Sequence, residues 1–378
     1  MNGAGLYLHI PFCRSKCGYC AFNSVAANRS TVDGYLDLLT QEIASYAALP
    51  WSKSHRFSTL FIGGGTPSLA SAQKLADILS QCRSHFNMND QAEISMEANP
   101  DSIDQDSLSI LRQAGVNRLS IGVQSFNNTL LTTLNRAHTG QQAVAAVAVA
   151  RQSGFKNINI DLIYGLPGQS LTSWQEDLDQ ALSLSPEHLA LYELTVEPGT
   201  PFSHLQDKGS LPLPAEDLVA DMEEATAALL GPSLQRYEIS NYAQSGYQCR
   251  HNINYWHNGS YLGLGSGAVS CLDGLRISHQ PDPHYFMDMV RQKKTTITQA
   301  ECLSPAGRFR ESMVMGLRLL SGLNLTTLEN RFQLSAQEVY GNILTDLTSR
   351  EMVIREGNMI RLAPNCLAVA NQVLTKLV

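Results

Sequence analysis

Three of the chain's eight cysteines are bunched at positions 13, 17 and 20, in the segment HIPFCRSKCGYCAFNS. Their spacing is Cys-x3-Cys-x2-Cys. Three thiolates this close can hold three irons of one cubane [4Fe–4S] cluster, whose full cysteine ligation needs four. The absent fourth leaves one iron open to a small molecule, and an open metal position marks reactive sites rather than structural ones. Two plainer readings stand beside this one. A zinc site could be completed by His9 or another residue, although zinc sites usually combine two separated pairs and no second pair exists here. Three cysteines could also pack simply as small hydrophobes. The others, Cys82, Cys249, Cys271, Cys302 and Cys366, are scattered, which speaks against a disulfide framework.

Two further segments have the right residue types for binding. Gly63-Gly64-Gly65-Thr66-Pro67 is a glycine run, and glycines let backbone N–H groups approach a ligand closely. Residues 249 to 257 read CRHNINYWH. Imidazole or thiolate can ligate a metal, and aromatic rings can pack against a flat ligand. A well-packed aromatic loop with a satisfied histidine is the competing reading.

These residues need elements to position them. Short β-branched or alternating runs predict strands at Leu6–Ile10, Thr59–Ile62, Ala92–Glu97, Arg118–Val123, Asn157–Ile163 and His188–Glu193. Helical spacing predicts helices at Val32–Ala48, Ala72–Phe86, Asp104–Ala114, Gln141–Ser153 and Ser173–Ser183. Strand–helix alternation of this kind predicts an α/β fold: a parallel sheet covered by helices, curling into a complete or partial (β/α)6 barrel. Function then belongs at the C-terminal ends of the strands. Cys13 follows the first strand and the glycines the second. Glu97 ends the third, Gln124 the fourth, and Asp161 lies near the end of the fifth.

Residues 198 to 214 form a polar, proline-rich connection, and 215 to 230 return to helix. Residues 236 to 304 read as an aromatic, loop-rich connection. In the tail, helices at Arg308–Leu320, Leu325–Phe332 and Ala336–Ser349 precede a hairpin of Met352–Arg355 and Met359–Leu362. A last helix covers Asn365 to Lys376. Helices followed by a hairpin suggest a winged-helix-like module. The expected division is 1–235 for the barrel, 236–304 for the connection and 305–378 for the tail.

The bulk chemistry excludes some classes. With 378 residues, 43% hydrophobic and 16% charged, the chain is ordinary globular material. A net charge of −7 gives no overall pull toward nucleic acid, and the tail has no concentrated basic run, so no nucleic-acid partner is expected. No stretch of about 18 apolar residues predicts a membrane span. The first residues lack the pattern of a secretory signal, so a cytoplasmic location is expected, where thiols stay reduced.

The cysteine trio with its flanking Tyr7 and Tyr19, the GGGTP segment, SMEANP, GVQSF, LNRAH and NIDLIYGLPGQ together resemble the radical SAM superfamily. The nearest pattern is the branch that holds oxygen-independent coproporphyrinogen III oxidase and the HemW-type heme chaperones, and the likeness extends over the whole chain. The resemblance implies a [4Fe–4S] cluster on Cys13, Cys17 and Cys20. Its open iron would be chelated by the amino and carboxylate groups of S-adenosylmethionine (SAM). Gly64, Gly65, Thr66, Glu97, Gln124, Arg136 and Asp161 match motif positions implicated in binding SAM, with Tyr7 and Tyr19 as flanking contacts.

Two departures separate the halves of that branch. The oxidase carries a further cysteine two residues after the trio, where this chain has Phe22. It also has an N-terminal extension, for which the start before Leu6 leaves no room. Both favour the chaperone side. The pattern at His251, Asn252, Tyr255 and Trp256 resembles the motif implicated there in heme binding. It implies His251 as the heme ligand, with Cys249 second and His257 behind both. The resemblance further implies transfer of heme to acceptor hemoproteins, respiratory-chain enzymes among them, and allows a dimer. An oxidase acting on coproporphyrinogen is the alternative.

Overall fold

A computed structural model describes residues 3–231 and 233–378. Six strands carry the first half of the chain: β1 (Ala4–Ile10), β2 (Phe57–Gly64), β3 (Met88–Ala98), β4 (Arg118–Gln124), β5 (Ile158–Tyr164) and β6 (His188–Glu193). They lie side by side in that order, every neighbouring pair parallel. Between them run α1 (Arg29–Ala47), α2 (Ala72–His85), α3 (Gln105–Gln113), α4 (Gly140–Gln152) and α5 (Leu171–Ser183). The expected α/β partial barrel is therefore present.

Local chemistry explains the element boundaries. Asn28 accepts a hydrogen bond from Thr31 N and starts α1. Reciprocal capping boxes start α3, α4 and α5: Asp104 with Ser107, Thr139 with Gln142, and Ser170 with Ser173. Side chains alternate across each strand. On β4, Leu119, Ile121 and Val123 enter the apolar core, while Arg118, Ser120, Gly122 and Gln124 face the barrel interior.

The barrel stays open. On its far side β6 meets an antiparallel strand, β8 (Asn241–Ala243), which pairs in turn with β7 (Gln235–Arg236). The other edge is extended as well. Residues expected as a loop-rich connection form β9 (Tyr261–Leu264), β10 (Val269–Leu272), β11 (Leu275–His279) and β12 (Ile297–Cys302). β9 lies parallel to β1, and the other three add antiparallel, completing one sheet of 12 strands. These strands are short and broken by turns at Gly265, Gly267 and Gly274, all with positive φ. Such interruptions hide a strand pattern in the sequence. Among the helices of this part are α6 (Glu216–Leu230) and α7 (Arg250–Trp256).

The tail has its own apolar core, from Phe309 through Leu347 and Ile360 to Leu377. The expected hairpin forms from Val353–Glu356 and Met359–Leu362, with Leu323–Asn324 as a third strand. The helix expected over 336–349 is broken into Ala336–Tyr340 and Ile343–Ser349. Gly341, at φ 52°, takes a conformation that suits glycine. The final helix is reduced to short turns around Ala370–Leu374. Among the described residues, no helix is long and apolar enough to cross a membrane.

Candidate functional site

The C-terminal ends of the parallel strands surround a cavity of about 800 Å3. Cys13, Cys17 and Cys20 line it, as do Tyr7, Tyr19, Gly64, Gly65, Thr66, Glu97, Gln124, Arg136, Asp161 and His251. Of the residues singled out in the sequence for cofactor contact, Cys249, Trp256 and His257 do not.

The three cysteines are half-buried and free of disulfides. Their loop is pinned from the segment after β4. Asn135 Nδ2 donates to the Lys16 carbonyl (3.1 Å), and Gly18 N donates to the Leu134 carbonyl (3.2 Å). Arg136 Nη1 approaches Cys17 Sγ at 3.6 Å. Burial raises the pKa of the Cys20 thiol, and the charges of the other two cysteines add to that. Among the described residues, no three Cys, His, Asp or Glu side chains are grouped to hold a single metal ion. A cubane spreads its ligands over separate corners and does not require such a group. His9 is also committed elsewhere. Its Nε2 donates to the Asn23 carbonyl (3.0 Å), leaving Nδ1 to accept from the Tyr7 hydroxyl (2.8 Å). Neither nitrogen is left to complete a zinc site.

The glycine run packs tightly on the start of the cysteine loop. Gly65 N donates to the Ile10 carbonyl (2.9 Å) and Thr66 N to the Phe12 carbonyl (2.7 Å). A Cβ at Gly65 would lie 2.4 Å from the Phe12 oxygen, so only glycine fits. Gly64, at φ 118°, turns its N–H to Glu97 Oε2 (3.0 Å). The Glu97 carboxyl is pushed up to about 7, mainly by burial and then by the charge of Asp161. Burial likewise pushes Asp161 up to about 6, although Asn159 Nδ2 (2.6 Å) and Ser120 Oγ (3.3 Å) donate to it. Two enclosed carboxylates that resist ionising together suit a cationic ligand. SAM, with its sulfonium and ammonium, is such a ligand. Arg136 is anchored through Nη2 to Asn99 Oδ1 (2.8 Å) and to the Gly122 carbonyl. Its Nε is buried and makes no hydrogen bond.

The aromatic motif forms α7, with its start against the barrel. His251 Nδ1 shares a hydrogen bond with Thr59 Oγ1 (2.8 Å) and Nε2 one with the Tyr255 hydroxyl (2.9 Å). Its ring packs beside Phe61 and Tyr7. Burial, then the Arg118 charge, lowers the imidazole to about 3, so the ring is neutral. Cys249 is fully buried behind the wall, where its thiol is pushed up to about 12 by burial and donates to Glu93 Oε1 (3.6 Å). His257 ends the helix, and its carbonyl accepts from Arg331 Nη1 (3.2 Å). Sequence reasoning passed over Arg118, Ser120 and Asn159, which also line the cavity. The signal for the first two was polar residues at every second position of an otherwise apolar strand.

Residues 7–181 match the model of the radical SAM superfamily, and 303–368 match that of the HemN C-terminal domain. The chain is 35% identical to the heme chaperone HemW of Lactococcus lactis over 371 residues, covering 98% of this chain and 96% of the relative. The chain belongs to the HemW family of radical SAM proteins. A second HemW-family relative, the heme chaperone HemW of Escherichia coli, is 42% identical over 291 residues, 75% of each chain. Among solved structures, coproporphyrinogen III oxidase (HemN) from Escherichia coli, described as a radical SAM enzyme, superposes with a TM-score of 0.86 at 25% identity. That match covers 99% of this chain and 90% of the oxidase. The HemW-family chain has Phe22 on the rim of its cavity, 68% exposed.

Proposed function

We propose that this chain is a cytoplasmic heme chaperone, which binds heme and passes it to acceptor hemoproteins such as respiratory-chain enzymes. The observation that supports this reading most is one cavity whose walls hold both the cysteine trio and the aromatic helix of His251. Cys13, Cys17 and Cys20 would hold a [4Fe–4S] cluster. Glu97 and Asp161 would face the positive charges of SAM, Arg136 would brace the cysteine loop beside it, and the Gly64–Thr66 backbone would line its polar end. Tyr7, Tyr19 and Gln124 complete that side. When bound, the cluster supplies a one-electron centre with an open iron.

Of the two candidate heme ligands, His251 faces the cavity and Cys249 lies behind it. Ligation by His251 Nε2 requires the Tyr255 hydroxyl to release it. The test is anaerobic reconstitution with iron and sulfide, followed by titration with SAM and heme. The wild type is expected to take up both, and Cys17→Ser to lose the cluster absorption. Tyr255→Phe, which frees Nε2, is expected to tighten heme binding severalfold and His251→Ala to shift the Soret band. No iron and no acid-labile sulfide after reconstitution would defeat the reading.

The TM-score of 0.86 to the oxidase favours a second reading, an enzyme acting on coproporphyrinogen III. Incubation with that substrate, SAM and a reductant decides between them. Formation of protoporphyrinogen would replace the chaperone-only reading.

A further inference from the structure

The cavity changes character along its depth. Near the cysteines its charged side chains are Lys16, Arg136, Glu97 and Asp161, and Arg136 is already held by Asn99 and the Gly122 carbonyl. At the start of β4 stands Arg118, four residues before Gly122, which is registered against Asp161. Arg118 is registered against Ser95, two residues before Glu97, which at about 3.3 Å per residue is roughly 7 Å further in.

Arg118 is 2% exposed, yet it lines the cavity. Its Nε is buried and makes no hydrogen bond, and among the described residues its guanidinium forms no ion pair. The two carboxylates whose charge it feels most are Glu93 and Asp161, and both are committed to other donors. Glu93 accepts from Arg250 N (3.0 Å), His251 N (3.1 Å) and the Cys249 thiol (3.6 Å). Asp161 accepts from Asn159 and Ser120. Its charge also reaches Glu97, which accepts from Gly64 N (3.0 Å), and Tyr237, Cys249, His188 and His251, which burial keeps neutral. A guanidinium carries five donors and stays charged. Leaving it buried without an acceptor is costly, and a bidentate carboxylate is the partner that matches its planar fork.

We propose that Arg118 is an anion subsite at the inner end of the cavity, and that it takes a propionate carboxylate of a tetrapyrrole. The inference rests on the heme-chaperone reading. The carboxylate of SAM is the other source of the same chemistry, but in that reading the open iron held by the cysteine trio would take it. Phe61 and Tyr255 line the same cavity and give it the flat aromatic surface that a macrocycle needs.

The test uses the full-length, anaerobically reconstituted protein, titrated with heme and with heme dimethyl ester, whose propionates are blocked. The wild type should bind heme on the order of tenfold more tightly than the ester, as expected for one charged hydrogen-bonded pair. Arg118→Gln should bring the two affinities together while cluster absorption and SAM binding persist. Equal binding of heme and ester by the wild type would overturn the proposal, even if the variant failed to fold. So would a variant that keeps the preference for free heme, or one that loses SAM affinity instead. If the wild type binds neither porphyrin, the chaperone reading itself has failed, a result distinct from equal binding of both.

Discussion

In the tail, Phe309, Met313, Leu347 and Ile360 pack against one another, and Ser312 is the only polar residue buried among the described residues beyond 304. Inside the strands of the barrel, Arg118, Glu93, Asn159, His188 and His251 are all buried. The apolar side chains of the same strands point the other way, toward the helices. The first interior is held together by removing apolar surface from water, at about 25 cal/mol per Å2. The second sets ionisable groups in a low-dielectric place, where each costs stability unless it is paired. The difference teaches where to look for function. The tail core explains its own existence by packing, whereas the barrel interior holds a buried guanidinium, Arg118, whose Nε has no acceptor, and an unpaired buried charge marks a place to look for a ligand.

The sharpest way to break this contrast is to carve the tail. Phe309→Ala should cost about 3–5 kcal/mol in denaturant unfolding, since Phe309 is fully buried. Cluster absorption of the reconstituted variant should survive. A loss below about 1 kcal/mol would mean that the tail core is not held by packing.

Acid titration tests the other interior. Glu97 ionises near 4.5 when unfolded and near 7 in the fold, so the folded state holds its proton longer. Its contribution is fully present below about 4.5 and is lost as pH rises through about 7. The cofactor-free wild type should therefore lose up to about 3 kcal/mol across that window, an upper bound because cavity solvent screens the half-buried carboxylate. Asp161 acts in the same direction. Glu97→Gln should flatten the slope, as read by urea unfolding at several pH values. An unchanged slope would show that Glu97 is not under strain.

The smallest effect is expected where the two regions meet. Arg331 donates to the carbonyls of His257 (3.2 Å) and Asn258 (2.8 Å). Arg331→Ala should lower stability by about 1 kcal/mol. A loss of several kcal/mol would make the junction, rather than either interior, the weak point of the fold.

The barrel could be read from the sequence because its strands and helices each present one clean period. β6 was placed to the residue, and the other five parallel strands to within a few residues. The residues lining the cavity were legible because they recur where strands end. β9 to β12 were missed because strands of four to six residues between glycine turns give too few repeats of any period. Arg118 escaped because a charged residue opening an apolar strand reads as a boundary. The engagement of both His251 nitrogens was invisible, since Thr59 is 192 positions away in the chain.

One short element belongs to both regions. α7 begins on Glu93 and holds His251 and Tyr255 against the cavity. It ends where Arg318 lies over the Trp256 ring at 4.7 Å and Asn258 donates to Ser312 Oγ (2.9 Å). Seven residues of helix make a rod about 10 Å long, too short to bend. The residues that meet a guest of the cavity, His251 and Tyr255, and those that seat the tail, Trp256 and Asn258, thus lie within eight positions of one another.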